Sequence, residues 1–222
     1  MLVPLMLLLA IQSGPAPVAA TPRDDRWYDS QQALPTGPLS ADAAAAAFEL
    51  PDGFAVQVVA AEPLVRNPIA ITWDDRGRLW VAENGTYAEA GVRFDLTLDD
   101  RIILLHDDDR DGIADRAVPF ADGLKRLTSI EKDADGVWAL CPPNLLFLPD
   151  RDRDDRLDGP AEVALVGFDV PLDSHHTIAN GLRFGPDGWL YGRCGASSPG
   201  SIRTPDSPPE AAVPIAGGIW RF

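Results

Sequence analysis

Residues 69–81 read IAITWDDRGRLWV. A β-rich run ends at Trp73, a turn carries Asp75 and Gly77, and a second run begins with Arg78-Leu79-Trp80-Val81. This is the signature of two strands joined by a tight hairpin. It returns as Leu127 to Glu131, Asp135-Gly136 and Val137-Trp138-Ala139-Leu140. It returns again as Gly181 to Phe184, Asp187-Gly188 and Trp189-Leu190-Tyr191. Two further strands follow in each of the first two copies. These are Arg101 to His106 and Ala117 to Phe120, then Asn144 to Leu148 and Ala161 to Val166, each pair joined by an acidic loop. The unit is a four-stranded meander of roughly 50 residues, the size of a propeller blade. Trp73, Trp80, Trp138 and Trp189 recur at repeat positions and are expected in blade packing. The third copy reaches its third strand at Gly217 to Phe222. The expected fold is therefore all-β: a partial β-propeller of about two and a half four-stranded blades. On this reading the chain is a fragment that stops before the propeller closes.

Composition agrees with a turn-rich β protein. Glycine (19) and proline (21) are abundant in the 222 residues, which favours many short turns over long helices. Nineteen lysines and arginines against 34 acids leave a net charge of −15, which disfavours nucleic acid and anionic membranes as partners. Residues 2–11 (LVPLMLLLAI) are apolar but too short to span a bilayer, and Val18-Ala19-Ala20 fits a signal-peptidase site. Residues 1–20 are thus expected to be a signal peptide, with export to the periplasm or cell envelope and no transmembrane span. Residues 21–50 are expected to form a linker or covering strap and a short helix over the alanines 43–47, capped by Ser40. The incomplete propeller domain then covers residues 51–222. Cys141 and Cys194 are too few for a disulfide framework, and the segment holds no C-x-x-C-H for a c-type haem.

Ten of the 34 acidic residues lie in the windows 107–115 and 150–158. Asp107, Asp109, Asp111, Gly112 and Asp115 follow the pattern D-x-D-x-D-G-x-x-D. Carboxylates at alternate positions can converge on one cation, Gly112 permits the sharp turn, and a set of hard oxygen ligands suits calcium. Val118 stands where an EF-hand would place its closing glutamate, so a hairpin-type calcium loop is the better match. The second loop offers Asp150, Asp152, Asp154 and Asp158, but has Asp155 in the glycine position. There Arg151, Arg153 and Arg156 could neutralise the acids in place of a metal. Both loops join third to fourth strands and should share one face.

The opposite face should gather the second-to-third-strand loops and the links between blades. Glu83-Asn84, Arg193-Cys194 and Ser174-His175-His176-Thr177 fall there. Two histidines, an arginine and a glutamate converging near the axis would suit polar catalysis. Glu83 and Arg193 could equally form an ordinary ion pair between blades.

Several phrases resemble a known family. They are Phe48-Glu49-Leu50-Pro51-Asp52-Gly53-Phe54, Ala61-Glu62-Pro63, Gly77-Arg78-Leu79-Trp80-Val81-Ala82-Glu83 and the run from His175 to Gly188. Over residues 45–222 the chain resembles the membrane-bound dehydrogenase family abundant in planctomycete-type bacteria. That family is in turn similar to soluble glucose and sorbosone dehydrogenases, six-bladed propellers that use pyrroloquinoline quinone (PQQ) and calcium. The resemblance implies a general base at His176, nine residues before Gly185-Pro186-Asp187. An acid precedes that base in the soluble glucose enzymes, whereas His175 stands here. Asn180 and Arg193, on the same face, are the candidate cofactor contacts. The implied substrate is a sugar or other alcohol, and a c-type cytochrome is an implied electron acceptor. The expected product is an exported PQQ-dependent dehydrogenase in its first part, inactive as a fragment. Two other functions fit the residues. One is a non-catalytic, calcium-stabilised propeller that binds ligands at the envelope. The other is a lactonase-type hydrolase with an axial metal held by residues such as Glu83 and Asn180.

Overall fold

The structure is a computed structural model that describes residues 38–88, 92–170 and 176–222. The expected signal peptide and residues 21–37 of the expected linker lie outside the described residues. The short helix α1 (Ala41–Ala46) forms as its sequence predicts, with Ser40 accepting a hydrogen bond from the Ala43 amide at 3.2 Å. Among the described residues no helix is long and apolar enough to cross a membrane.

Apart from a 3-10 turn at Pro209–Ala211, the remaining regular structure among the described residues is antiparallel sheet. β1 (Pro68–Trp73), β2 (Leu79–Glu83), β3 (Asp100–His106) and β4 (Arg116–Leu124) form a sheet in chain order. β5 (Ser129–Asp133), β6 (Gly136–Cys141), β7 (Asn144–Pro149) and β8 (Glu162–Phe168) repeat that order. β9 (Asn180–Phe184), β10 (Leu190–Arg203) and β11 (Val213–Arg221) make the third copy. This all-β architecture of repeated meanders is propeller-like, as the repeat predicts. The innermost strands β1, β5 and β9 lie side by side.

Side-chain alternation explains the layering. Trp80 and Ala82 of β2, with Ile102 and Leu104 of β3, face the second sheet and meet Ile130, Val137 and Ala139. Leu79, Val81, Ile103 and Leu105 face the other way and are covered by Val59, Ala60 and Val65. β2 is consequently buried along its whole length. Leu140, Leu145, Leu165 and Phe168 carry the core on towards Ala179, Leu182 and Leu190 of the third copy. Among the repeated tryptophans, Trp80 is fully buried and packs edge-on to Phe120 at 5.0 Å. Trp138 packs against Phe147, whereas Trp73 and Trp189 lie on exposed sheet surface.

Two boundaries depart from the sequence reading. The second copy begins at Ser129, because the Leu127 amide is held by the Asp100 carboxylate at 2.7 Å. The third copy is not a separate sheet: β10 runs on and pairs Gly200 with Phe168 and Arg203 with Val166 of β8. Gly167 permits this crossing. A Cβ there would lie 2.0 Å from the Ser201 carbonyl oxygen, and the backbone φ is +98°. The second and third copies therefore share one continuous sheet.

Candidate functional site

A cleft of about 320 Å³ opens where the starts of β1, β5 and β9 meet the loop after β2. Ile69, Asn84, Tyr87, Thr128, His176, Asn180 and Arg193 are among its lining residues. The prediction that these loops share a face is met. The cleft is built outward from a buried carboxylate. Asp100 accepts from the Thr86 amide (2.7 Å), the Thr86 hydroxyl (2.9 Å) and the Leu127 amide (2.7 Å). Burial pushes its carboxyl above the ordinary range, and the amides partly offset that shift.

Thr86 lies next to Asn84, whose Oδ1 accepts from the Tyr87 amide at 2.8 Å and whose Nδ2 donates to the Leu127 carbonyl at 2.7 Å. This side-chain bond to the amide three residues on aims Tyr87 across the cleft. Its hydroxyl hydrogen-bonds His176 Nδ1, with the ring centroids 6.0 Å apart. Burial raises the Tyr87 phenol further, so it is neutral near neutral pH. Thr128 Oγ1, 2.6 Å from the Ala179 carbonyl oxygen, ties the His176 segment to the second copy. Arg193 Nε donates to Asn180 Oδ1 at 2.5 Å, and Asn180 Nδ2 donates to the Ile178 carbonyl at 2.9 Å.

The structure thus brings His176, Asn180, Arg193 and Asn84 together and adds Tyr87 and Thr128, which sequence reasoning did not single out. Glu83 is not with them. It is 4% exposed, and its carboxylate accepts from the Arg66 amide at 2.6 Å and pairs with Arg101 Nε on the neighbouring strand. The expected convergence of Glu83 with His176 is corrected on this ground, as is the alternative Glu83–Arg193 ion pair. Glu83 and Asn180 likewise do not share the cleft, as an axial metal would require. His175 lies outside the described residues.

The acidic loops lie at the other end of the sheets and are structurally equivalent. In each, the ninth residue caps the amide of the second: Asp115 accepts from Asp108 N at 2.7 Å, and Asp158 from Arg151 N at 2.5 Å. In each, the fourth and sixth residues have left-handed backbone, Arg110 and Gly112 in one, Arg153 and Asp155 in the other. Asp107, Asp109 and Asp115 bring carboxylate oxygens within 4.8 Å of one another, as do Asp150, Asp152 and Asp154. Asp111 and Asp158 fall outside these groups; the Asp111 carboxylate accepts from the Ile113 amide at 2.8 Å. Two of the second loop's three arginines make their ion pairs outside its cluster. Arg151 pairs with Glu162 at 2.7 Å and Arg153 with Asp75 at 2.5 Å.

Fold and cleft define the class: a propeller-like all-β protein with a histidine–tyrosine cleft at one end and acidic hairpins at the other. The chain belongs to the family described as a domain of unknown function, DUF7133, whose model matches residues 40–222. No curated protein and no solved structure matches the chain.

Proposed function

We propose that this chain carries the His176 cleft of an exported, propeller-type dehydrogenase acting on a sugar or another alcohol, with His176 as general base. The observation that supports this best is the Tyr87–His176 hydrogen bond at the mouth shared by three repeats. With the Nδ1 proton donated to the Tyr87 oxygen, the imidazole keeps its Nε2 lone pair to take a proton from a substrate hydroxyl. Tyr87 orients the ring through this bond. Asn180 holds Arg193 at the cleft, where its guanidinium can receive an anionic group.

This donor set fits one carboxylate edge of a quinone of the PQQ type, with Arg193 as the cation and Asn180 beside it. When bound, such a quinone supplies the two-electron acceptor for the oxidation. Deprotonation of the hydroxyl at His176 raises the tendency of its carbon to release hydride.

The test is a dye-linked assay on the whole protein with added quinone and calcium and a panel of sugars and alcohols. Quinone-dependent dye reduction is expected. Hydrolysis of lactones without quinone, and no dye reduction, would replace this reading with a hydrolase.

A further inference from the structure

We infer that the 150–158 loop is a divalent-cation site, with calcium as the ion that fits it and Asp150 as its buried anchor. Its sequence is the poorer match to a calcium loop, yet its environment makes the stronger case. Asp150 is 1% exposed, and its Oδ1 has no hydrogen-bond partner. Backbone hydrogen bonds from Asp154 and Asp155 favour the ionised carboxylate, and Oδ1 itself has no partner within hydrogen-bond distance. A buried, unpartnered carboxylate oxygen is costly unless a ligand completes it.

Asp152 and Asp154 supply the complement, since one oxygen from each lies within 4.8 Å of an Asp150 oxygen. Lys132 Nζ lies 3.9 Å from Asp150 Oδ2, on the oxygen other than the unpartnered one, and donates to the carbonyls of Asp133 and Gly136. Three hard oxygens at alternate positions of one turn are a calcium donor set, completed by carbonyl oxygens or water. The 107–115 loop has the same backbone form, but its three carboxylates are all exposed.

The site also has a structural consequence. The same turn carries Arg153 and Asp155, which reach Asp75 and Arg78 in the β1–β2 hairpin of the first sheet. Cation binding at Asp150, Asp152 and Asp154 therefore fixes the turn that latches the first two sheets together.

The test begins with Asp107→Asn/Asp109→Asn in the whole chain, which removes the exposed cluster of the other loop. Calcium titrated into this protein after chelator treatment is expected to bind at one site and to raise the melting temperature. Adding Asp152→Asn/Asp154→Asn, both exposed substitutions, is expected to weaken calcium binding by more than about tenfold, because affinity follows ligand charge. Absence of calcium binding in the first variant would overturn the inference, as would unchanged binding after the second pair is replaced. Both readouts are independent of catalysis, so they stand apart from the dehydrogenase reading.

Discussion

Residue 155 occupies a backbone position that its counterpart Gly112 fills with glycine. Asp155 has φ +67°, a left-handed conformation that aspartate tolerates better than most residues. What the chain gains is a carboxylate that meets Arg78 through two bonds, at 2.5 and 2.7 Å, between the first and second sheets. The hydrogen bonds from Arg78 hold the Asp155 carboxyl below the ordinary aspartate range. A folded-state value lowered in this way stabilises above the unfolded value of about 3.9, and the contribution fades as pH falls through the lower folded value. Asp155→Asn is therefore expected to cost about 1 kcal/mol at pH 7, the scale of a partly exposed ion pair. Urea unfolding in chelator should show this difference shrinking steadily below pH 4. An equal loss at pH 7 and pH 2.5 would mean that the ion pair is not its source. Sequence reading located this departure from the loop pattern but not its role, because Arg78 lies 77 residues away. Tyr87 was illegible for the same reason. Its partner His176 is 89 residues distant.

The inner strands are joined by one buried carboxylate. Glu131 on β5 accepts from Thr72 Oγ1 on β1 at 2.9 Å and from the Phe184 amide on β9 at 3.0 Å. Arg183 approaches it at 3.5 Å, and Glu131 itself is 7% exposed. Glu131→Ala leaves a part-buried amide and a buried hydroxyl without their acceptor, so it should cost about 2 kcal/mol. Glu131→Gln keeps an acceptor oxygen and should cost less. Denaturant unfolding of both variants checks this, and equal stability of Glu131→Ala and wild type would contradict the linkage. At this scale the sequence was most informative. Asp-Gly hairpins between apolar runs located nearly every strand, because strand alternation and turn chemistry are local properties. The extension of β10 onto β8 was missed, since it depends on Gly167 admitting a strand from the next repeat.

Across the whole molecule the repeat separates two chemistries. Loops after second strands and links before first strands build the His176 cleft, while third-to-fourth hairpins carry the acidic turns. The meander order dictates this division, which is why both faces could be assigned from sequence once the strands were placed. Convergence of Glu83 could not be read so easily. It ends a strand pointing at the correct face, but Arg66 and Arg101 claim its carboxylate. The most direct measurement is quinone-dependent dye reduction by the whole protein, comparing wild type with His176→Ala and Tyr87→Phe. The account predicts that His176→Ala lowers turnover by about 10²–10⁴-fold, the scale of a lost general base. It predicts a loss of roughly fivefold for Tyr87→Phe, the scale of one hydrogen bond. Undiminished turnover in His176→Ala would contradict the assignment of the base.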